Sequence, residues 1–227
     1  SQMDKVVGKA MARVDGNTTL MVMSDHGFTS FRRQFNLNTW LMDNGYAKPV
    51  SSASRGIAGY FEDTDWTHTS AYGLGINSLY LNMRKREPNG IVAPGSEKDA
   101  LTAELITRLE AVRDPKTGEP VISRVYKASD IYSGPYVASA PDLVIGYNRY
   151  YRASWDTILG KYPREQLLDN MDPWSGDHAI DSQHVPGVLL CNRQINTACP
   201  SLADLAPTIM GEFGVPVPKQ MTGKSVL

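Results

Sequence analysis

In the stretch SDHG (24–27) an acid and an imidazole, Asp25 and His26, stand side by side after a short apolar run. A carboxylate supplies an anionic oxygen and a neutral imidazole supplies a nitrogen, which together form the mixed donor set of zinc and related borderline metals. Adjacent residues within a strand point to opposite faces, but where the strand ends the backbone turns and both side chains can converge on one ion. Gly27 would permit such a turn, with Ser24 as a supporting hydrogen-bond donor. The same residues would also serve a plain turn, with Asp25 and His26 capping backbone groups.

A second concentration of such groups is WSGDHAIDSQH (174–184), which holds Asp177, His178, Asp181 and His184, two of the four histidines in the chain. The segment could fold over an ion, yet its spacing follows no compact zinc signature, and a polar surface loop is the competing reading. His68, in DWTHTSAYGLG, could line the cleft, although its polar neighbours favour a hydrogen-bonding role in its loop. The sequence contains no GxSxG elbow, P-loop, GxGxxG or HExxH motif, and none of Ser24, Thr29, Ser30, Thr67 or Thr69 is marked out as a nucleophile. GYNRYYRASW (146–155) mixes Tyr147, Arg149, Tyr150, Tyr151, Arg152 and Trp155, which suits either a packed loop or a surface that stacks a base and grips a phosphate.

The elements that must position these groups follow from periodicity and punctuation. Val6, Val7, Ala10, Met11 and Val14 recur at helical intervals over 3–14. TTLMVMS (18–24) reads as a buried strand that delivers Asp25 and His26 at its C-terminal end, where open α/β sheets keep their ligand sites. A short helix over 36–45 is capped by Gly45, while 48–75 predicts no element. Strands are expected at 75–83, 121–126, 142–146 and 186–191. SEKDALTAELITRLEAV (96–112) is a helix with acids in its first turn, and SLADLAPTIMGEFG (201–214) is another, with Ser201 as cap and Gly214 as exit. Helices with one apolar stripe and short apolar strands predict an α/β fold with a mostly parallel sheet, carrying strands near 19–24, 142–146 and 187–191, against which helices 97–112 and 201–213 pack.

With 227 residues, 41% of them hydrophobic, the chain can bury a sizeable core. A net charge of -1 leaves no nucleic-acid-binding footprint, and MRKREP (83–88) reads as a solvated basic cluster. No apolar run is long enough to span a membrane. Cys191 and Cys199 match neither a CxxC pair nor a common zinc spacing, so free thiols are the first reading and a disulfide the second. The first residues show no secretory leader pattern.

The succession LMVMSDHGF, GDHAIDSQHVPGVLL and DLAPTIMGEFGVPVPKQMTGKSVL resembles the C-terminal part of an alkaline-phosphatase-superfamily enzyme of the type I phosphodiesterase and nucleotide pyrophosphatase group, over about residues 3–227. DWTHTSAYGLGINSLYLNMRKREPNGIV and YRASWDTILG are similar to internal segments of its bacterial branch. The resemblance implies an alkaline-phosphatase-like α/β sandwich and a hydrolase of phosphate esters or nucleotides that uses two divalent metal ions, usually zinc. It implies that Asp25 and His26 ligate the ion that activates the nucleophile and that His178 ligates the other. Asp177 and Asp181 acquire no ligand role from it, and His184 lies outside the pattern. Ala179 replaces the glycine that normally follows the histidine, which bears on loop shape.

In that group the nucleophilic threonine or serine, an early metal-binding aspartate and a DxxxH-type pair precede the SDHG segment by many residues. The resemblance therefore implies that residues 1–227 are the C-terminal portion of a single catalytic domain, with the nucleophile upstream of Ser1 and no catalytic residue within the chain. The missing N-terminal portion becomes an expected partner, and self-association is expected where its absence exposes apolar surface or a strand edge. Such a chain would bind metal weakly and not turn over phosphate esters. Asp25, His26 and His178 are expected to gather at one cleft. Other members of the superfamily (a phosphomonoesterase, sulfatase or phosphomutase) and a non-enzymatic binding module are the competing functions.

Overall fold

The computed structural model describes residues 1–51 and 59–227. Along the chain the elements are α1 (Gln2–Met11), β1 (Met21–Ser24), β2 (Thr29–Phe35), α2 (Leu37–Asp43), β3 (Ala71–Gly73), β4 (Ser78–Leu81), α3 (Ser96–Glu110), β5 (Ile122–Lys127), α4 (Ala128–Ile131), β6 (Leu143–Tyr147), β7 (Tyr150–Ala153), α5 (Trp155–Ile158), β8 (Leu167–Asp169), β9 (Gly176–Asp177), β10 (Val188–Cys191) and α6 (Leu205–Glu212). They divide into two compact units, residues 1–27 with 186–227 and residues 28–185.

In the first unit β1 and β10 form an antiparallel pair, with Met21 opposite Cys191 and Ser24 opposite Val188. Gly187 is required by close approach, because a Cβ there would lie 2.5 Å from the Ser24 carbonyl oxygen. α1 begins where the Ser1 hydroxyl accepts the Asp4 N–H and buries none of its residues. α6 follows a single 3₁₀ turn (Leu202–Asp204), and the Asp204 carboxylate accepts from the Ser201 N–H and hydroxyl at one end and from the Lys224 N–H at the other. Thr208 relays the same tie, accepting the Val226 N–H and donating to the Asp204 carbonyl.

Among the described residues the second unit holds two sheets. One has the order β3-β4-β6-β5, antiparallel throughout. In the other, β2 pairs parallel with β7 and antiparallel with β8 and β9. α3 packs on β5 and contributes Leu105 and Leu109, both fully buried, to a core with Phe35, Leu81, Leu143 and Ile145. Full burial of such side chains stabilises by about 1.5–3 kcal/mol each. α2 closes one side, its Asn38 clamping both backbone groups of Gly73 at 2.9 and 2.7 Å. The helix ends at Gly45, whose φ of +82° is open to glycine without strain.

The α/β class and the expected elements at 3–14, 19–24, 36–45, 75–83, 121–126, 142–146, 186–191, 96–112 and 201–214 are present within a few residues. The single mostly parallel sheet is not. Among the described residues, strands near 19–24 and 187–191 pair with each other, the strand near 142–146 belongs to a different sheet in the other unit, and β2 with β7 is the one parallel pair of named strands. The reason is connectivity. β3–β4 and β5–β6 are consecutive strands in antiparallel register, which hairpin-like returns permit, and β4 joins the two pairs by lying antiparallel to β6, whereas parallel neighbours need crossover connections. In the 48–75 stretch, residues 52–58 lie outside the described residues, while a 3₁₀ turn (Trp66–His68) and β3 occupy part of the remainder.

Candidate functional site

β1 ends at Ser24, and the next two residues are the predicted acid and imidazole. Ser24 turns out to fasten the strand pair, its hydroxyl accepting the Val188 N–H at 3.0 Å. Asp25 is exposed and His26 is about two-thirds buried, with His26 Nε2 at 3.6 Å from Asp25 Oδ2. The His26 Nδ1 lies 2.9 Å from the Gly27 carbonyl oxygen. A carbonyl only accepts, so Nδ1 carries the proton, and in the neutral ring Nε2 carries the lone pair. Asp25 also accepts the His26 N–H at 3.1 Å, which fixes the carboxylate against its own backbone. Within this unit Asp25 borders a cleft of about 330 Å³ whose walls include Met23, Pro186, Val188, Ser201 and Leu205.

By donor type Asp25 and His26 offer a carboxylate oxygen and an imidazole nitrogen, two of the three or four donors that a zinc site takes. On a tetrahedral zinc with nitrogen and oxygen bonds of about 2.0–2.2 Å, two ligand atoms stand roughly 3.3–3.6 Å apart. The Nε2 to Oδ2 separation of 3.6 Å lies at that edge length. An Nδ1–H donated to a backbone carbonyl is also the usual orienting contact of a zinc-binding histidine. Among the described residues, no three His, Cys, Asp or Glu side chains form a group that could hold an ion by themselves.

His178 belongs to the second unit, directly after β9. It is held from behind by Asp177, whose Oδ1 accepts the N–H groups of His178 and Ala179 at 2.7 and 2.8 Å. The other carboxylate oxygen of Asp177 is 2.6 Å from Arg152 Nη1, in an ion pair whose side chains are 7% and 3% exposed. Arg152 in turn lies over the Trp155 ring at 4.4 Å. The imidazole of His178 meets the Phe28 ring edge-on, with centroids 5.2 Å apart, and is 44% exposed.

The remaining candidates have local duties. Asp181 is buried, caps the turn Ser182–His184 through the Gln183 N–H and accepts from the Tyr126 hydroxyl at 3.0 Å. Burial, together with that carboxylate, pushes the Tyr126 phenol up. His184 Nε2 contacts the Ser123 hydroxyl at 3.2 Å. His68 Nδ1 is 2.8 Å from Asp65, the loop role that its neighbours suggested. Thr67 donates to Asp65, and the buried Thr69 hydroxyl accepts the Lys48 N–H. Cys191 and Cys199 are free thiols.

Sequence reading missed Arg152 as the partner of Asp177 and missed Arg33, whose buried guanidinium pairs with the fully buried Asp114 at 2.5 Å. One signal was present for Arg33. In TSFRRQF the inward face of an alternating strand reads Phe31, Arg33, Phe35, and all three are buried.

A family model for type I phosphodiesterase / nucleotide pyrophosphatase matches residues 1–157. The chain therefore belongs to that family, within the alkaline phosphatase superfamily, and its α/β architecture is consistent with this assignment. At family level it is a phosphodiesterase/nucleotide-pyrophosphatase-type hydrolase of phosphate esters, and the family is metal-dependent in general. The match includes Asp25 and His26 and ends before His178. A comparison with curated proteins found no match.

Proposed function

We propose that Asp25 and His26 ligate one of two divalent ions, zinc by donor type, and that His178 ligates the second, in a phosphodiesterase or nucleotide pyrophosphatase. The observation that carries this reading is the 3.6 Å spacing of His26 Nε2 and Asp25 Oδ2, with Nδ1 committed to the Gly27 carbonyl. When bound, such ions lower the pKa of an attacking hydroxyl and stabilise charge on phosphoryl oxygens. The chain's own part is to hold donors in place. β1 and Ser24 anchor the first pair, and the buried Arg152–Asp177 pair sets the backbone that presents His178.

A stable zinc site uses three or four ligands, and Asp25 with His26 supplies two. The reading therefore includes further donors and a serine or threonine nucleophile from a segment outside residues 1–227, with hydrolysis through a phosphorylated hydroxyl. In this reading the chain is the C-terminal portion of one catalytic domain. Exposed apolar side chains on the β1–β10 pair, Met23, Val188 and Leu190, support a covering segment there, because a two-stranded sheet is marginal by itself.

The test is zinc-dependent hydrolysis of a chromogenic phosphodiester by the 227-residue chain and by the protein extended upstream. The extended protein should turn over, His26→Ala in it should lose about 100-fold or more, and the 227-residue chain should be inactive. Activity of the shorter chain within about tenfold of the longer would overturn the external nucleophile and return attention to Ser24, Thr29, Ser30, Thr67 and Thr69. Full activity of the His26→Ala enzyme would overturn the ligand assignment.

A further inference from the structure

We propose that the second unit carries a phosphate-binding subsite built from Arg32, Arg149 and Tyr150, a set of residues separate from the candidate metal ligands. The segment GYNRYYRASW left two roles open, and the structure divides it. Tyr147, Tyr151 and Arg152 are buried and committed to the core, whereas Arg149 and Tyr150 are exposed beside a cleft of about 480 Å³. That volume suits a small ligand.

Two backbone irregularities face each other at this place. The register of β2 against β7 shifts between Phe31 and Arg33, opposite Tyr150 and Tyr151, so Arg32 has no counterpart on β7, an irregularity that is rare in parallel pairs. Opposite it, Tyr150 has a φ of +77°, a left-handed conformation that an aromatic residue adopts at a cost of about 1–2 kcal/mol. The combined result is that the Arg32 guanidinium lies 4.2 Å from the centroid of the exposed Tyr150 ring. The ring fixes the plane of the guanidinium while its N–H groups stay available at the edge. Strain of this kind persists where surrounding structure enforces it, and it collects at ligand sites.

The charge balance supplies the ligand's sign. Beneath the cleft Arg33 is neutralised by Asp114, which also accepts from the Tyr151 hydroxyl at 3.0 Å. Among the described residues no carboxylate lies within 4.0 Å of Arg32 or Arg149, and Glu119 is the acid on the cleft wall. Two uncompensated forks against one carboxylate suit a compact oxyanion with several acceptor oxygens, and phosphate matches guanidinium geometry through paired hydrogen bonds. The net charge of -1 and the size of the cleft point to the phosphate group of a small molecule and not to a nucleic-acid track.

The experiment is calorimetric titration of inorganic phosphate into the 227-residue chain with EDTA present and ionic strength held constant by chloride, which removes metal-mediated binding. Saturable binding is expected, weakened about tenfold or more in Arg32→Gln and in Arg149→Gln and unchanged in Arg13→Gln, which removes an exposed arginine elsewhere. Tyr150→Gly relieves the left-handed backbone and removes the ring, so it should keep or raise the urea midpoint while weakening phosphate binding. A merely structural tyrosine would lose stability instead, and that result would overturn the proposal. So would the absence of saturable binding, an equal loss in Arg13→Gln, equal binding of acetate, or insensitivity to both arginine substitutions. Because the titration is metal-free, its failure leaves the metal-ligand reading standing, and failure of that reading leaves this one standing.

Discussion

Arg152 Nη1 lies 2.6 Å from Asp177 Oδ2, with both side chains almost wholly removed from solvent, and the other oxygen of the same carboxylate holds the backbone N–H groups of His178 and Ala179. One buried ion pair therefore governs the approach of the chain to His178. Removing one partner of such a pair leaves an uncompensated buried charge, which costs about 3–5 kcal/mol, far more than the pair contributes net. Arg152→Met should lower the stability of the unit containing residues 28–185 by that amount, and Arg152→Met with Asp177→Asn should recover a substantial part. Urea unfolding followed by tryptophan fluorescence measures both. Equal destabilisation by the single and double variants would mean that the packing of Arg152 on Trp155, and not its charge, is what counts.

His26 and Asp25 should behave as donors of one ion. His26→Ala and Asp25→Asn are each expected to weaken zinc binding by the 227-residue chain at least tenfold in competition with a chromophoric chelator, while His184→Ala and His68→Ala leave it unchanged. Loss of even a contact that merely orients a ligand typically weakens metal affinity about 10–100-fold. Equal weakening on removal of His68 or His184 would indicate nonspecific surface binding.

Gly187 should resist any side chain. An added Cβ would sit 2.5 Å from the Ser24 carbonyl oxygen and 3.2 Å from that of Asp25, so Gly187→Ala must push the β1–β10 pair apart where the acid is presented. An overpacking cost of about 1–3 kcal/mol is expected, accompanied by weaker zinc binding. Retention of wild-type zinc affinity in Gly187→Ala would uncouple the strand pair from the donor geometry.

Asp142 should contribute to acid sensitivity. Burial by itself would raise its carboxyl pKa, but hydrogen bonds from Arg86, the Leu81 N–H and Lys98 outweigh burial and hold it below the ordinary carboxylate value. Because the folded value is the lower one, the unfolded chain takes up the proton first. The contribution is full above the unfolded pKa, about 3.9, and is lost as pH falls through the folded value. Wild-type stability should therefore drop more steeply than that of Asp142→Asn below about pH 4. Parallel stability curves for the two proteins across that range would show that Asp142 makes no contribution to acid sensitivity.

How far the sequence reaches can be judged residue by residue. The helix over 96–110, the capped turn at Ser201, the exit at Gly45 and the strand that ends before Asp25 were legible because each is set by neighbours a few positions away: an apolar stripe, a hydroxyl with an acid three residues on, a glycine free to take positive φ. The adjacency of Asp25 and His26 was likewise written in the chain, and so was the loop role of His68, whose partner Asp65 is three residues before it. Strand direction was not legible, because a short apolar strand looks the same whichever way its neighbour runs, and β1 finds its partner only at residues 188–191. Arg33 with Asp114 and Arg152 with Asp177 were hidden for the same reason. An arginine is soluble or buried according to a carboxylate brought to it from 81 or 25 residues away, and desolvation decides between the two only once the fold has formed. The sequence by itself determined the adjacency of Asp25 and His26 and the local elements that carry them. Tertiary structure alone decided which arginines are sealed in the core and which, like Arg32 and Arg149, are left facing solvent, because the energy of a charge depends on everything around it.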